Sequence, residues 1–428
     1  MECLIEIQKR EVLSMRKNEE RLLDALCCFL RGETAAWRDG INGEDWKELF
    51  QMAAKHQILP MIFEAVYACP AFSTFPEELA AETRKRVIRQ VMLQNCKTEE
   101  FLVLYRELLD QGLAPLVVKG MICRSLYREP DFRASGDEDV LVPEEDFSSC
   151  AEIFRRNGMQ KTDPEQREED GEISWILPGG ALRVELHREL FPSGSRAYGS
   201  FNSLFRTAFE RKVCVEIRGV PVWTMCPTDH LLYLIVHAFK HFMHSGFGIR
   251  QVCDIVLFAG RFGGELDWQY LWEQCRNIRA DIFAASLFRI GARWLGFSWE
   301  EAGCPGEWIR QGAEEEALLS DLLEGGVFGD SSASRKHSSN MTLAAVAGDR
   351  AGQRGRMHLR QALFPEREYM KRTYSYLQKY PFLMPVAWVS RLAKYAVETR
   401  RCRNSSAVES LKIGSRRIEL LKKYRIIQ

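Results

Sequence analysis

Apolar residues at helical spacing fill about the first hundred positions. Leu22, Leu23, Leu26 and Phe29 form one stripe, ended near Gly32. Trp46, Leu49, Phe50 and Ala53 form a second, continued by Ile58, Met61, Ile62 and Ala65. His56 falls between them and reads as a polar residue at a helix end. After a turn-rich break from Pro70 to Pro76, Leu79 to Leu109 predicts one long helix or two. The pattern then changes. Leu116 to Val118 is a short apolar run closed by Lys119 and the permissive Gly120, and Met121 to Tyr127 returns to helical spacing. A loop with Pro130 and Gly136 leads through Asp137-Glu138-Asp139 into Val140-Leu141-Val142. The predicted order is strand, tight turn, helix, loop, strand, with the turn and the acids at neighbouring strand ends.

Downstream, Pro143 to Asn157 predicts a helix with proline and acids in its first turn, stopped by Gly158. Thr162 to Gly171 reads as an acidic loop. Glu172 to Leu177 and Leu182 to His187 read as strands made antiparallel neighbours by the Pro178-Gly179-Gly180 turn. Arg211 to Trp223 predicts a hairpin, and Thr228 or Asp229 sits near the cap of a helix running through His241. Helices continue from Phe258 to about Leu323. The Gly- and Ser-rich stretch from Gly326 to Arg356 reads as a surface loop or link, Leu359 to Tyr380 as a helix, and Pro381 to Pro385 as a break. The expected fold class is α+β, a small mixed sheet with helices flanked by helical regions at both ends. The expected divisions are a helical subdomain over 1–100, a core over 101–225, a helical subdomain lining the site over 226–325, and a loop with a basic tail over 326–428.

Alternation along a strand puts Asp137 and Asp139 on one face and Glu138 on the other. Two carboxylates on one face repel, and a hard cation such as Mg²⁺ relieves that repulsion while leaving positions open for phosphate. Glu185, in the alternating run Leu182-Arg183-Val184-Glu185-Leu186-His187, is the candidate third carboxylate, and His187 shares its face. His237 and His241 are four apart and share a helix face with Lys240 beside them. Such a pair can bind zinc, but no Glu follows the first His, so a metalloprotease is not indicated.

Lys119-Gly120, Tyr127, Arg133, Gly136-Asp137-x-Asp139 and Val184-Glu185-Leu186-His187, in this order and spacing, resemble an uncharacterised bacterial nucleotidyltransferase-like family of the polymerase-beta superfamily. The resemblance continues through Asp229 to Leu257. It implies a polymerase-beta-like core in which Asp137, Asp139 and Glu185 bind Mg²⁺ (or Mn²⁺) and carry catalysis. Lys119, the Gly120 turn, Arg133, Lys240 and His241 would hold a nucleoside triphosphate, with Arg133 alternatively fixing its loop. Tyr127, His187, His237, Arg250 and Asp254 would support the site or the acceptor, Asp254 holding Arg250 four residues away. The implied reaction moves an NMP to a hydroxyl-bearing acceptor that the sequence leaves open: small molecule, glycan precursor, protein or RNA. Two departures stand out. Glu138 replaces the apolar residue between the aspartates, where it is either solvated at a strand start or a buried charge needing a partner. Met121 replaces a small residue after the turn, leaving backbone N–H groups and Lys119 for phosphate.

Composition adds little. The 428 residues carry a formal net charge of +0, with 46% hydrophobic and 28% charged residues, as expected of a globular chain of two or three domains. The 13 cysteines are irregularly spaced, which favours reduced thiols over a disulfide framework or zinc site. The first twenty residues are too charged for a secretory signal, and cytoplasmic residence is expected. Neutrality hides one asymmetry: from Arg391 onward about eleven Lys/Arg face about three Glu. Ile418, Leu421 and Ile426 among those basic residues suggest an amphipathic helix that packs on the body or touches a membrane surface or RNA. Besides the transferase, two readings remain: a catalytically inactive nucleotide-binding or regulatory protein on the same fold, and a toxin-like RNA-modifying nucleotidyltransferase.

Overall fold

A computed structural model describes residues 16–38, 40–166, 171–244, 246–311, 315–325, 333–350, 370, 374, 376–390 and 407–428. Four helices open it: α1 (Lys17–Arg31), α2 (Gly43–Lys55), α3 (Leu59–Val66) and α4 (Glu77–Asp110). The apolar stripes read from the sequence are the buried faces of the first three, with Leu22, Leu26, Trp46 and Ile62 fully enclosed. α1 ends at Gly32, which takes φ 72° and closes the helix with two backbone bonds. The long segment is a single helix of 34 residues.

The α+β core follows. β1 (Leu116–Val118), a short α5 (Gly120–Arg124), β2 (Glu138–Leu141), α6 (Phe147–Arg156), β3 (Gln160–Lys161), β4 (Glu172–Ile176) and β5 (Arg183–His187) build one mixed sheet in the order β1-β2-β5-β4-β3. β4 and β5 are antiparallel, as the intervening turn predicts, and β2 runs parallel to β5. The predicted helix after Pro143 begins with a single 3₁₀ turn at Glu144–Asp146 before α6. The hairpin of β6 (Val213–Ile217) and β7 (Val220–Thr224) closes the core. It delivers the chain to α7 (Pro227–Met243), α8 (Ile249–Phe262), α9 (Trp268–Asn277), α10 (Asp281–Trp294), α11 (Gly306–Gln311) and α12 (Glu315–Gly325).

Two expectations for the C-terminal part change. Within the stretch read as a loop, Ala333–Arg350 is a helix, α13, which packs on the last helix, α14 (Ala407–Lys423). Its polar composition obscured the few buried positions, Thr342, Ala345 and Val346, that dock it; tertiary burial overrides weak propensity. The amphipathic tail also packs inward. Leu420, Leu421, Tyr424, Ile426 and Ile427 are buried, and the enclosed Arg417 donates to the carbonyls of Phe242 and His244 at the end of α7. That burial removes the apolar face on which membrane or RNA contact by the tail was based. The expected helical reading of residues 1–15, most of the helix from Leu359, and the basic stretch 391–406 lie outside the described residues. Among the described residues no helix is long and apolar enough to cross a membrane.

Candidate active site

β1 hands over to α5 through Lys119, whose backbone has φ 61° and ψ −113°. The positive φ therefore falls on the lysine, whereas Gly120 is already helical. The turn is held from behind. Lys119 N donates to His230 Nε2 at 3.0 Å, while His230 Nδ1 lies 3.1 Å from Thr224 Oγ1, which donates to Val117 O at 2.7 Å. Because the threonine proton is committed to the carbonyl, the ring carries its hydrogen on Nδ1 and accepts at Nε2. Burial pushes the His230 pKa down to about 3, in keeping with that neutral form.

Glycine at position 120 has a different cause. A Cβ there would overlap Oε2 of Glu138, whose side chain turns to the opposite face of β2 from Asp139. Glu138 is fully enclosed and partnered on every side. Arg124 Nη1 donates to Oε1 at 2.6 Å, Ser135 Oγ to Oε1 at 3.2 Å and Met121 N to Oε2 at 2.9 Å, with Lys97 Nζ 3.8 Å from Oε1. Burial opposes its charge, but Arg124 and Lys97 outweigh burial and hold the pKa below the usual carboxylate range. The departure from an apolar residue is thus the buried, partnered case. It also commits the Met121 N–H, and with the Lys119 N–H given to His230, these two groups are not open to a phosphate.

On the other face of the sheet, Asp139 of β2 stands directly opposite Glu185 of β5 in the parallel register. His187 joins them, with Nε2 3.3 Å from Asp139 Oδ1 and 3.6 Å from Glu185 Oε2. One ligand atom from each of the three lies within 4.8 Å of the others. Asp137, half-buried and just ahead of β2, is not in that cluster. Lys119 Nζ sits 2.6 Å from Asp139 Oδ2 and 3.3 Å from His237 Nε2, and His237 and His241 face each other at 3.3 Å. Burial disfavours the Asp139 carboxylate, yet Lys119 and His187 outweigh it and hold the pKa well below the ordinary range. Burial likewise lowers the His187 pKa, but hydrogen bonds to Asp139 and Glu185 outweigh it and raise the value to about 9.

Burial, then the neighbouring Lys119, lowers the pKa of Lys240, whose ammonium rests over the rings of Phe191 (5.8 Å) and Tyr198 (5.9 Å). His241 is pushed down to about 3 by burial and by Lys240. Two residues not singled out by the sequence also border the cluster. Glu172 Oε2 is 3.7 Å from His187 Nδ1, and Tyr233 lies in the field of Asp139 and Glu185. Strand register held the signal for Glu172, since antiparallel pairing across the Pro-Gly-Gly turn places it opposite His187.

Arg133, Tyr127, Arg250 and Asp254 gather elsewhere. Arg133 is 1% exposed and gives Nε and Nη2 to Asp254 at 3.1 and 2.5 Å, and Tyr127 Oη donates to the same carboxylate at 2.8 Å. Arg250 donates to Gln57 Oε1 at 2.9 Å and to Ala134 O. Arg133 therefore fixes its own loop and presents no guanidinium to a nucleotide, and Asp254 holds Arg133 instead of donor bonds from Arg250. These four tie the loop before β2 to α8.

The donor set itself fits a divalent cation. Two carboxylates and an imidazole converge, and the buried Asp139 Oδ2 and His187 Nδ1 have no hydrogen-bond partner. A family model described as uncharacterised nucleotidyltransferase matches residues 42–296, more than half of the chain. The chain belongs to that family. The nucleotidyltransferase match spans α2 to α10 and includes every residue of the cluster. The chain is also similar to the crystal structure of an antigenic nucleotidyltransferase-like protein from Paracoccidioides brasiliensis, at 15% identity and a TM-score of 0.30, over 46% of this chain and 92% of that one. No curated protein sequence matches it.

Proposed function

We propose that the chain is a divalent-metal-dependent nucleotidyltransferase that moves an NMP from a nucleoside triphosphate to a hydroxyl-bearing acceptor and releases pyrophosphate. The observation that carries this is the Asp139–Glu185 register pair with two ammonium groups, Lys119 and Lys240, in its field. Asp139, Glu185 and His187 would hold the ion, with Asp137 the further carboxylate beside them. A bound divalent ion supplies charge neutralisation on the phosphates. The acceptor oxygen forms its bond to the α-phosphorus as the bond from that phosphorus to the pyrophosphate oxygen breaks, and the hydroxyl proton passes to the Glu185 carboxylate. Lys119 and Lys240 offset the charge left on pyrophosphate.

The test is labelling of cell-extract acceptors from each α-labelled nucleoside triphosphate. Asp137→Asn combined with Asp139→Asn, and Glu185→Gln separately, should abolish labelling while circular dichroism stays unchanged. Undiminished labelling in either variant removes this site from the account. A second reading, a nucleotide-binding protein without transfer, is favoured by one observation: the Lys119–Asp139 ion pair and the Glu138–Met121 bond engage groups that phosphate would otherwise use. Calorimetry with each triphosphate that gives binding heat but no pyrophosphate would select it.

A further inference from the structure

Resting on the metal-dependent reading, we propose that His187 Nε2 is a direct metal ligand and that this nitrogen makes the site select Mn²⁺ over Mg²⁺. Three features lead there. The sequence pattern calls for a third acid, Asp137, yet the atoms that converge come from Asp139, Glu185 and His187. Next, Nε2 lies 3.3 Å from Asp139 Oδ1 and 3.6 Å from Glu185 Oε2. Neighbouring ligands on an octahedral ion with bonds of about 2.1–2.2 Å lie about 3 Å apart, so small side-chain adjustments would bring all three onto one ion. Finally, the far side of the ring is equipped as a ligating histidine requires. Nδ1 is buried without a hydrogen-bond partner, and Glu172 Oε2 waits 3.7 Å away. A carboxylate there fixes the tautomer that leaves Nε2 free for metal.

The chemistry of the donors sets the selectivity. Mg²⁺ favours an all-oxygen shell and gives up water reluctantly, whereas a first-row transition ion accepts imidazole readily. Mn²⁺ is the member of that series that also suits carboxylates and phosphate oxygens. Backbone register enforces the arrangement. His187 is two residues beyond Glu185 on β5 and pairs with Glu172 on β4, so the imidazole shares the face of both carboxylates.

The experiment uses the untagged full chain loaded with Mn²⁺. Pulsed electron paramagnetic resonance should show ¹⁴N coupling from a ligating imidazole, lost in His187→Gln and kept in His237→Gln and His241→Gln. Calorimetric titrations with each metal should give a preference for Mn²⁺ over Mg²⁺ that falls by about ten-fold or more in His187→Asp, a change within the range expected on altering a metal's surroundings. Mn²⁺ bound with no nitrogen coupling, or a metal preference unmoved by His187→Asp, overturns the inference and leaves His187 as a cation paired to Asp139. If the intact chain binds neither ion, the metal-dependent reading fails as well, which separates the two failures.

Discussion

Gly120 and Glu138 exclude each other's alternatives: the glutamate carboxylate fills the space that any side chain at position 120 would need. Arg124 and the Met121 N–H hold that carboxylate in place, so it cannot swing aside. Gly120→Ala should therefore destabilise the chain by about 1–3 kcal/mol through overpacking. Glu138→Ala should cost about 3–5 kcal/mol, because Arg124 and Lys97 remain buried without their carboxylate. In the Glu138→Ala background the added Gly120→Ala should cost much less than it does alone, a non-additivity expected of groups in contact. Urea unfolding of the four proteins measures it. Equal costs in both backgrounds would mean that the glycine is required for another reason.

The Arg133–Asp254 pair makes a different forecast because it is far from the carboxylate cluster. Asp254→Asn should lower stability at pH 7 by about 3–5 kcal/mol by leaving Arg133 poorly compensated. Burial raises the Asp254 pKa, but Arg133 outweighs burial and keeps it below the ordinary value. A carboxyl with a depressed folded pKa stabilises above its unfolded value of about 3.9, and that contribution disappears as pH falls through the folded value. The penalty of Asp254→Asn should accordingly be flat from pH 5 to 8 and shrink only under stronger acid. Thermal unfolding of both proteins across that range checks it. A penalty that declines between pH 8 and 5 would assign the effect to another group.

Strand alternation made the face shared by Glu185 and His187 legible, and the Pro-Gly-Gly turn made β4 and β5 neighbours. Asp139 fell opposite Glu185 because each occupies a polar position in an otherwise apolar strand. Asp137 was assigned to the same face by the same rule, but regular pairing starts only at Glu138, so the rule does not extend to it. Long-range partners were not legible. Glu138 depends on Arg124 and on Lys97 from α4, and Arg133 on Asp254 across 121 positions of chain. No local pattern encodes such pairings. The lysine at positive φ was hidden for a related reason: glycine beside it seemed to answer for the turn, whereas that glycine answers to Glu138.

His56 predicts a pH dependence of folding. Its Nε2 lies 3.2 Å from the carbonyl of Leu323, joining α2 to α12, and burial lowers its pKa from 6.5 to about 4. Between those values the unfolded chain binds a proton that the folded chain does not, so stability rises with pH across the window and falls as pH drops from 6.5 toward 4. One such proton contributes a slope of at most about 1.4 kcal/mol per pH unit. His230 acts in the same sense, so the test is a difference. His56→Gln, which keeps a donor for Leu323 and cannot titrate, should flatten the stability profile between pH 6.5 and 5 relative to the parent. Parallel profiles would show that His56 is protonated in the folded chain.

Lys240 carries the clearest prediction for nucleotide binding. Among the described residues its ammonium has no carboxylate within ion-pair distance, and it is held over Phe191 and Tyr198 near Glu172 and Asp139. A partly buried cation without an anion is costly unless a ligand supplies one. A charge-assisted contact to phosphate contributes about 1.5–3 kcal/mol, so Lys240→Met should weaken triphosphate binding by roughly ten- to a hundred-fold. The unliganded fold should be as stable as the parent or more so, since the uncompensated charge is gone. Calorimetry at low and high salt reads the affinity, and thermal unfolding without ligand reads the stability. The affinity gap should narrow as salt rises, because screening weakens the partly exposed charge in the parent alone. Equal affinities at low salt would place the phosphates away from α7, on the Lys119 side of the cluster.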